Sequence, residues 1–233
     1  MLEYTYNTDE KEKCWYKGIC DHSRCNSFCI RHYKMDALVH MATMEGLQKY
    51  PIQLKLDSSG TDRDAYKALK EIQNNINDFV TSGKNLLIYS EKTGNGKTEW
   101  SKKLILAWFD SIWRDTEFEC RGLFISLPRF MNAMRENITK PNDYYNYIND
   151  NILTADVVVW DEINYKDYST FEHDYLLSIL SQRISTGKSN IYTTNFAIPQ
   201  ISAKLGSRLS SRIIGSSIKI EFKGQDKRNW GVE

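Results

Sequence analysis

The sequence predicts an α/β fold: a five-stranded, mostly parallel sheet with helices on both faces, preceded by a small cysteine-rich metal-binding domain. Three observations carry that prediction. Five short apolar runs are separated by segments long enough for helical crossovers. The first of these runs leads directly into a glycine-rich loop that ends in Gly-Lys-Thr. Four of the five cysteines fall between Cys14 and Cys29, ahead of all five runs.

Composition sets the outer limits. With 31 Lys+Arg against 30 Asp+Glu in 233 residues, the formal net charge is +1. That excludes a broadly polycationic nucleic-acid binder and leaves room for a local basic groove. No apolar run approaches the roughly 20 residues that span a bilayer. The opening MLEYTYNTDEKEK is polar and acidic where a signal peptide needs an apolar stretch. The expected compartment is therefore the cytoplasm, with no membrane partner.

A reducing compartment favours metal over disulfides for Cys14, Cys20, Cys25 and Cys29. Four thiolates satisfy tetrahedral Zn²⁺, and a domain this small needs such a staple to fold. His22 and His32 are the alternates for a Cys₃His set, and an iron–sulfur cluster is the alternative metal centre. Cys120 stands apart in sequence and reads as a core or surface thiol.

Met35, Leu38, Val39, Met41, Ala42 and Met44 are spaced as on a helix. The turn-like cluster Asp57-Ser58-Ser59-Gly60 then divides the chain into an N-terminal domain, 1–57, and an α/β domain, 58–233. Tyr66, Leu69, Ile72, Ile76 and Phe79 predict one amphipathic helix, capped by Thr61 or Asp62 and ended by Gly83. Strands are expected at Asn85–Ser90, Gly122–Ser126, Ala155–Trp160, Asn190–Thr194 and Ser217–Phe222. Little chain follows the fifth, so no C-terminal helical lid is expected.

The first strand is followed by Glu91-Lys92-Thr93-Gly94-Asn95-Gly96-Lys97-Thr98, the strand–loop–helix setting of a Walker A phosphate loop. Gly94 and Gly96 let the backbone turn so that successive N–H groups face phosphate oxygens. Lys97 would meet the β- and γ-phosphates of ATP, and the Thr98 hydroxyl would ligate Mg²⁺. Glu91 replaces the first glycine of the motif, which predicts weakened ATP binding unless its carboxylate faces solvent.

The run Val157-Val158-Val159-Trp160-Asp161-Glu162 has the form of a Walker B strand. Asp161 would hold Mg²⁺ through its water shell, and Glu162 would orient and deprotonate the attacking water. Asn195 ends the next strand, either as a γ-phosphate sensor or as a turn residue. Arg208 and Arg212, four apart on a short helix, form either a solvated basic face or an arginine finger reaching a neighbouring subunit's nucleotide.

In this order and spacing, TGNGKT, VVVWDE, YTTN and RLSSRI resemble the AAA+ ATPases of the DnaC/DnaI helicase-loader type, relatives of DnaA and IstB. The resemblance covers about residues 62–228. It implies an ATPase that binds a hexameric, DnaB-type replicative helicase and helps place it on single-stranded DNA. It also implies that the cysteine-rich domain is a zinc domain that contacts the helicase. The absence of a lid fits that group. An IstB-like transposition ATPase shares the same motifs, and a helicase-binding inhibitor with weak hydrolysis is the alternative that Glu91 keeps open. For DNA contacts, Lys102, Lys103, Arg129, Arg135 and Lys140 supply charge, and Tyr144, Tyr145 and Tyr147 supply stacking faces.

Overall fold

A computed structural model describes Cys14 and residues 29–44, 60–163 and 168–227. The element order is α1 (Ile30–Met41), α2 (Arg63–Asn74), α3 (Ile76–Thr81), β1 (Asn85–Tyr89), α4 (Lys97–Ile112), β2 (Gly122–Ser126), α5 (Leu127–Asn137), α6 (Asp143–Asn151), β3 (Val157–Asp161), α7 (Thr170–Ser185), β4 (Ser189–Thr194), α8 (Ile198–Ser216) and β5 (Ser217–Glu221). The five strands lie in the order β2-β3-β4-β1-β5, and every pairing is parallel. The expected α/β architecture is the observed one.

Strands buried on both faces must be apolar at consecutive positions, and alternate side chains then serve different layers. Leu86 and Ile88 of β1, Val157 and Val159 of β3, and Ile191 of β4 join α1–α4 in one core. Leu87, Val158, Trp160 and Tyr192 point the other way, into a second core with α5–α8. The sheet is thus sandwiched between two helical layers. A buried Arg183 ties α7 to the sheet's lower edge: its guanidinium donates to Ala155 O at 2.9 Å, Ser189 O at 2.7 Å and Asn190 Oδ1 at 2.8 Å. Burial pulls its pKa down to about 10.

Two local outcomes differ from the expectations, and a third feature is added to them. The single helix predicted to run to Gly83 is two, broken at Asn75 (φ −112°, ψ 30°). The Asn75 amide side chain bonds back to Glu71 O at 3.0 Å and so competes with the helical ladder. Asp62 stands at the N-terminal position of α2, yet its side chain makes no capping bond. Its carboxylate instead accepts from Lys223 N and Gly224 N, at the far end of the chain. Helix α8 is kinked at Gly206 (φ 71°, ψ 162°), a conformation that favours glycine.

Helix α1 lies on the N-terminal side of the boundary expected near 58, and Met35, Leu38 and Val39 are buried in the same core as α4. Arg31 Nη2 reaches Asp110 Oδ1 at 2.7 Å. Lys34 Nζ donates to the carbonyls of Arg114 and Thr116, both at 3.0 Å. Strand β2 is an edge strand, and the chain leaving α1 covers that edge. Phe124 N donates to Ala42 O at 2.8 Å, and Thr43 Oγ1 donates to Phe124 O at 2.8 Å. Among the described residues no helix is long and apolar enough to cross a membrane.

Candidate nucleotide site

In an open parallel sheet, ligands bind beyond the carboxyl ends of the strands, where the strand order reverses. Here β1 is followed by a helix leading to an outer strand, and its sheet neighbours are β4 and β5. The loops after β1, β3 and β4 therefore meet. They enclose a cleft of about 290 Å³ lined by residues 93–99, Glu162 and residues 193–195. Residues of TGNGKT, VVVWDE and YTTN, distant along the chain, converge on one place.

The phosphate loop is held in shape from beneath. Gly94 (φ 67°) and Gly96 (φ 101°) adopt left-handed backbone, which is where the sequence needs glycine. Asn95 is fully buried, and its Nδ2 donates to Ser90 Oγ at 2.6 Å. The Ser90 hydroxyl also accepts from Lys92 N, and Ser90 N donates to Thr194 O. Asn95 is thus an internal brace of the loop. Lys97 is 6% exposed, with Nζ donating to Lys92 O at 2.8 Å and Asn95 Oδ1 at 3.1 Å. An incoming phosphate would find a desolvated ammonium already aimed across the loop.

Glu91 and Lys92 are exposed and lie outside the lining, which begins at Thr93. The backbone at Glu91 is not left-handed, so this position makes no demand for glycine. The expected penalty of a carboxylate at the cleft mouth therefore has no basis in the observed geometry.

Beside the lining residues Thr98 and Thr193, Asp161 Oδ1 accepts from Thr98 Oγ1 at 2.9 Å and from Thr193 Oγ1 at 2.6 Å. Burial pushes the Asp161 carboxyl above the ordinary carboxylate range, against the two hydroxyl hydrogen bonds that hold it down. A desolvated carboxylate beside a threonine hydroxyl is a hard oxygen donor set, and it suits Mg²⁺. Glu162 follows with φ 59°, a left-handed conformation that typically costs about 1–3 kcal/mol in a non-glycine residue. Its N–H donates to Thr193 Oγ1 at 3.0 Å, which holds the turn and leaves the Glu162 side chain exposed at the cleft. Thr193 joins both carboxylate-bearing residues, and it was not among the expected site residues. Its position one residue before Thr194-Asn195 in β4 is the only sequence signal for it. Asn195 lines the cleft as expected.

Arg208 and Arg212 do not reach this cleft. Both are exposed and line a separate groove between α7 and α8, with Leu177, Ser181, Ser207 and Ser211. The Gly206 kink precedes them, and His173 Nε2 lies 2.9 Å from the Leu205 carbonyl at that kink.

The DNA-contact candidates fall in different places, and Lys102 itself pairs with Glu99 at 2.8 Å. Arg135 pairs with Glu172 at 2.6 Å, Tyr145 stacks on Phe130, Tyr147 donates to Met41 O, and Lys103 covers Trp100. Lys140 is exposed. Lys102, Arg129 and Tyr144 instead converge on a second cleft of about 220 Å³, whose wall includes Thr98 and Asp161. There the Arg129 guanidinium lies 4.0 Å over the Tyr144 ring. Cys120 is half-buried, with Sγ near Met41 O and Gly122 O.

Of the zinc candidates, Cys20, Cys25 and His22 lie outside the described residues. Cys14 is buried, Cys29 precedes the first turn of α1, and His32 is half-buried on that helix. Among the described residues no group of three or more His, Cys, Asp and Glu side chains is placed to hold a metal ion.

Neither a protein-family model nor a curated protein matches the sequence. Solved structures do match. The DnaC helicase loader superposes with a TM-score of 0.58 at 18% identity, over 73% of this chain and 93% of that one. DnaI gives 0.57 at 19% identity, over 76% and 92%. The replication initiator DnaA, bound to AMPPCP and single-stranded DNA, gives 0.52 at 20% identity, over 74% and 53%. At these identities the likeness is one of fold. The chain shares its overall fold with DnaC, DnaI and DnaA.

Proposed function

We propose that this chain is an ATP-dependent loader of a hexameric replicative helicase onto single-stranded DNA. The observation that carries the reading is the convergence of Lys97, Thr98, Glu162 and Asn195 on one cleft of a DnaC-like fold, with Asp161 hydrogen-bonded to Thr98. In this reading ATP lies with its phosphates on the loop, where Lys97 and the N–H groups around Gly94 and Gly96 neutralise them. Thr98 and Asp161 hold Mg²⁺, which neutralises charge on the phosphate oxygens. Glu162 takes the proton of the attacking water, and Asn195 orients that water or the γ-phosphate.

Arg208 and Arg212 supply the finger to an adjacent subunit's nucleotide, so the chain works as a self-association. Their distance from their own cleft and their exposure support that role. Single-stranded DNA is the proposed occupant near Lys102, Arg129 and Tyr144. Residues 1–57 form the helicase-contacting unit, stapled by Zn²⁺ through Cys14, Cys20, Cys25 and Cys29, with α1 as its joint to the ATPase core. The exposed position of Glu91 favours an active ATPase over an inhibitor that has lost hydrolysis.

The test is to mix the protein with its host's replicative helicase, ATP and single-stranded DNA, and to measure loading. Loading that requires ATP is expected. A protein that hydrolyses ATP but neither captures nor loads the helicase would instead be of the IstB-like transposition type.

A further inference from the structure

We infer that residues 222–227 form a strap coupled to the phosphate loop, seated by the buried carboxylate of Asp62, so that strap closure and nucleotide binding strengthen each other. The inference rests on the nucleotide reading of the cleft and adds a control element to it.

The strap leaves β5 alongside β1, where Phe222 N donates to Tyr89 O at 2.9 Å. It then meets the loop on both sides of Thr93, the first residue of the cleft lining. Lys92 Nζ donates to Lys223 O at 3.0 Å, and Lys227 N donates to Gly94 O at 2.9 Å. The Asp226 carboxylate fills the space that a side chain on Gly94 would need. The strap's other side is anchored at Asp62, which is 1% exposed. Asp62 Oδ1 accepts from Lys223 N at 2.7 Å and Gly224 N at 2.9 Å, while Oδ2 faces Lys227 Nζ at 3.3 Å. That ammonium also lies 4.8 Å over the Tyr66 ring. A carboxylate this deeply buried is tolerated only while its donors stay in place, so the seat favours one closed geometry.

The link to nucleotide runs through Lys97. Its ammonium is held by Lys92 O, and phosphate would compete for it. Residues 92–94 must then keep their shape by other means, and the strap grips both ends of that stretch. A strap that stabilises the binding-competent loop must in turn be stabilised by the bound nucleotide, because linkage is reciprocal. The Asp62 carboxylate and the Lys227 ammonium lie outside the cleft lining. They are positioning residues.

The test uses the full chain with Mg·ADP and Mg·ATP as probes. Lys227→Met keeps the apolar stem over Tyr66 and removes the charge; Asp62→Asn removes the anion. Each should weaken nucleotide binding by about 5-fold or more, the lower end of ordinary coupling between sites, while turnover at saturating ATP changes less. Amide exchange at residues 223, 224 and 227 should slow when Mg·ADP is added to the parent, and should not respond in Lys97→Ala. Parental affinity in Lys227→Met, or strap amides indifferent to nucleotide that demonstrably binds, would overturn the inference and leave the nucleotide reading standing. A parent that binds neither nucleotide would overturn both. If Asp62→Asn fails to fold, Lys227→Met and the exchange measurement decide the matter.

Discussion

The cleft beyond β1, β3 and β4 and the groove between α7 and α8 carry the two sets of side chains that the proposed function assigns to nucleotide, and they are built in opposite ways. In the cleft, Lys97, Asp161 and Asn95 are buried and hydrogen-bonded to one another's surroundings before any ligand arrives. In the groove, Arg208 and Arg212 are exposed, and no carboxylate is among the described residues that line it. A preorganised site is complete within one chain, whereas an exposed pair of guanidinium groups is half of something. Under the proposed function, this difference assigns binding to the single subunit and turnover to the assembly.

The sharpest way to break that contrast is at the cleft. Lys97→Ala removes the ammonium that meets the β- and γ-phosphates, and should abolish measurable ATP binding at micromolar nucleotide. Glu162→Gln should retain binding and lower hydrolysis by at least about 100-fold, the usual contribution of a positioned general base. Equilibrium binding with a fluorescent ATP analogue, beside a phosphate-release assay, separates the two. Near-parental hydrolysis by both variants would mean that the motifs are assigned wrongly.

The groove should respond differently. Arg212→Ala is expected to leave ATP binding by monomers intact and to lower turnover by about 10³-fold or more, the scale of an arginine finger. Mixing Arg212→Ala with Glu162→Gln should restore part of the activity. One chain then supplies the carboxylate and its neighbour supplies the guanidinium. No recovery, with parental hydrolysis independent of protein concentration, would make the cleft and groove alike after all.

Much of this was legible in sequence, and the reasons are specific. Strands such as Val157–Asp161 and Asn85–Tyr89 are apolar at successive positions because both faces are covered, and that pattern survives without coordinates. Lys97, Asp161 and Asn195 could be placed because each stands at or beyond the carboxyl end of a strand, and a parallel sheet gathers its strand ends at one edge. Thr193 was invisible because a threonine in a strand is ordinary, and its meaning lies in a hydroxyl 2.6 Å from Asp161. Asp62 was misread as a cap because its partners, Lys223 and Gly224, lie at the other end of the chain. Local rules see neighbours in sequence, and those contacts are not local.

Thr193 offers a subtler test of the cleft's preorganisation. Thr193→Val keeps the shape of the side chain and removes the hydroxyl that donates to Asp161 and accepts from Glu162 N. One buried donor and one acceptor are lost, each typically worth about 1 kcal/mol, so turnover should fall by roughly 10-fold. Because Thr98 still bonds Asp161, the Mg²⁺ requirement should weaken without disappearing. A titration of activity against Mg²⁺ reads both effects. An unchanged curve would mean that Thr193 merely fills space.

The smallest effect is expected at Glu91, whose exposed carboxylate meets the condition under which the sequence predicts no penalty. A carboxylate in place of the first loop glycine predicts repulsion of ATP. Yet Glu91 is exposed, lies outside the cleft lining and has no left-handed backbone for a glycine to relieve. Two solvent-screened charges at such a position interact weakly, at the scale of about 1 kcal/mol or less. Glu91→Gly should therefore change the ATP dissociation constant by no more than about 2-fold at physiological salt, where the Debye length is near 8 Å. Repeating the measurement at low salt sharpens the result, because any residual repulsion would grow there while a steric effect would not. A large, salt-independent gain in affinity would mean that the loop needs a glycine at this position when nucleotide is bound. The phosphate loop would then be less preorganised than its buried hydrogen bonds imply, and the contrast with the α7–α8 groove would narrow accordingly.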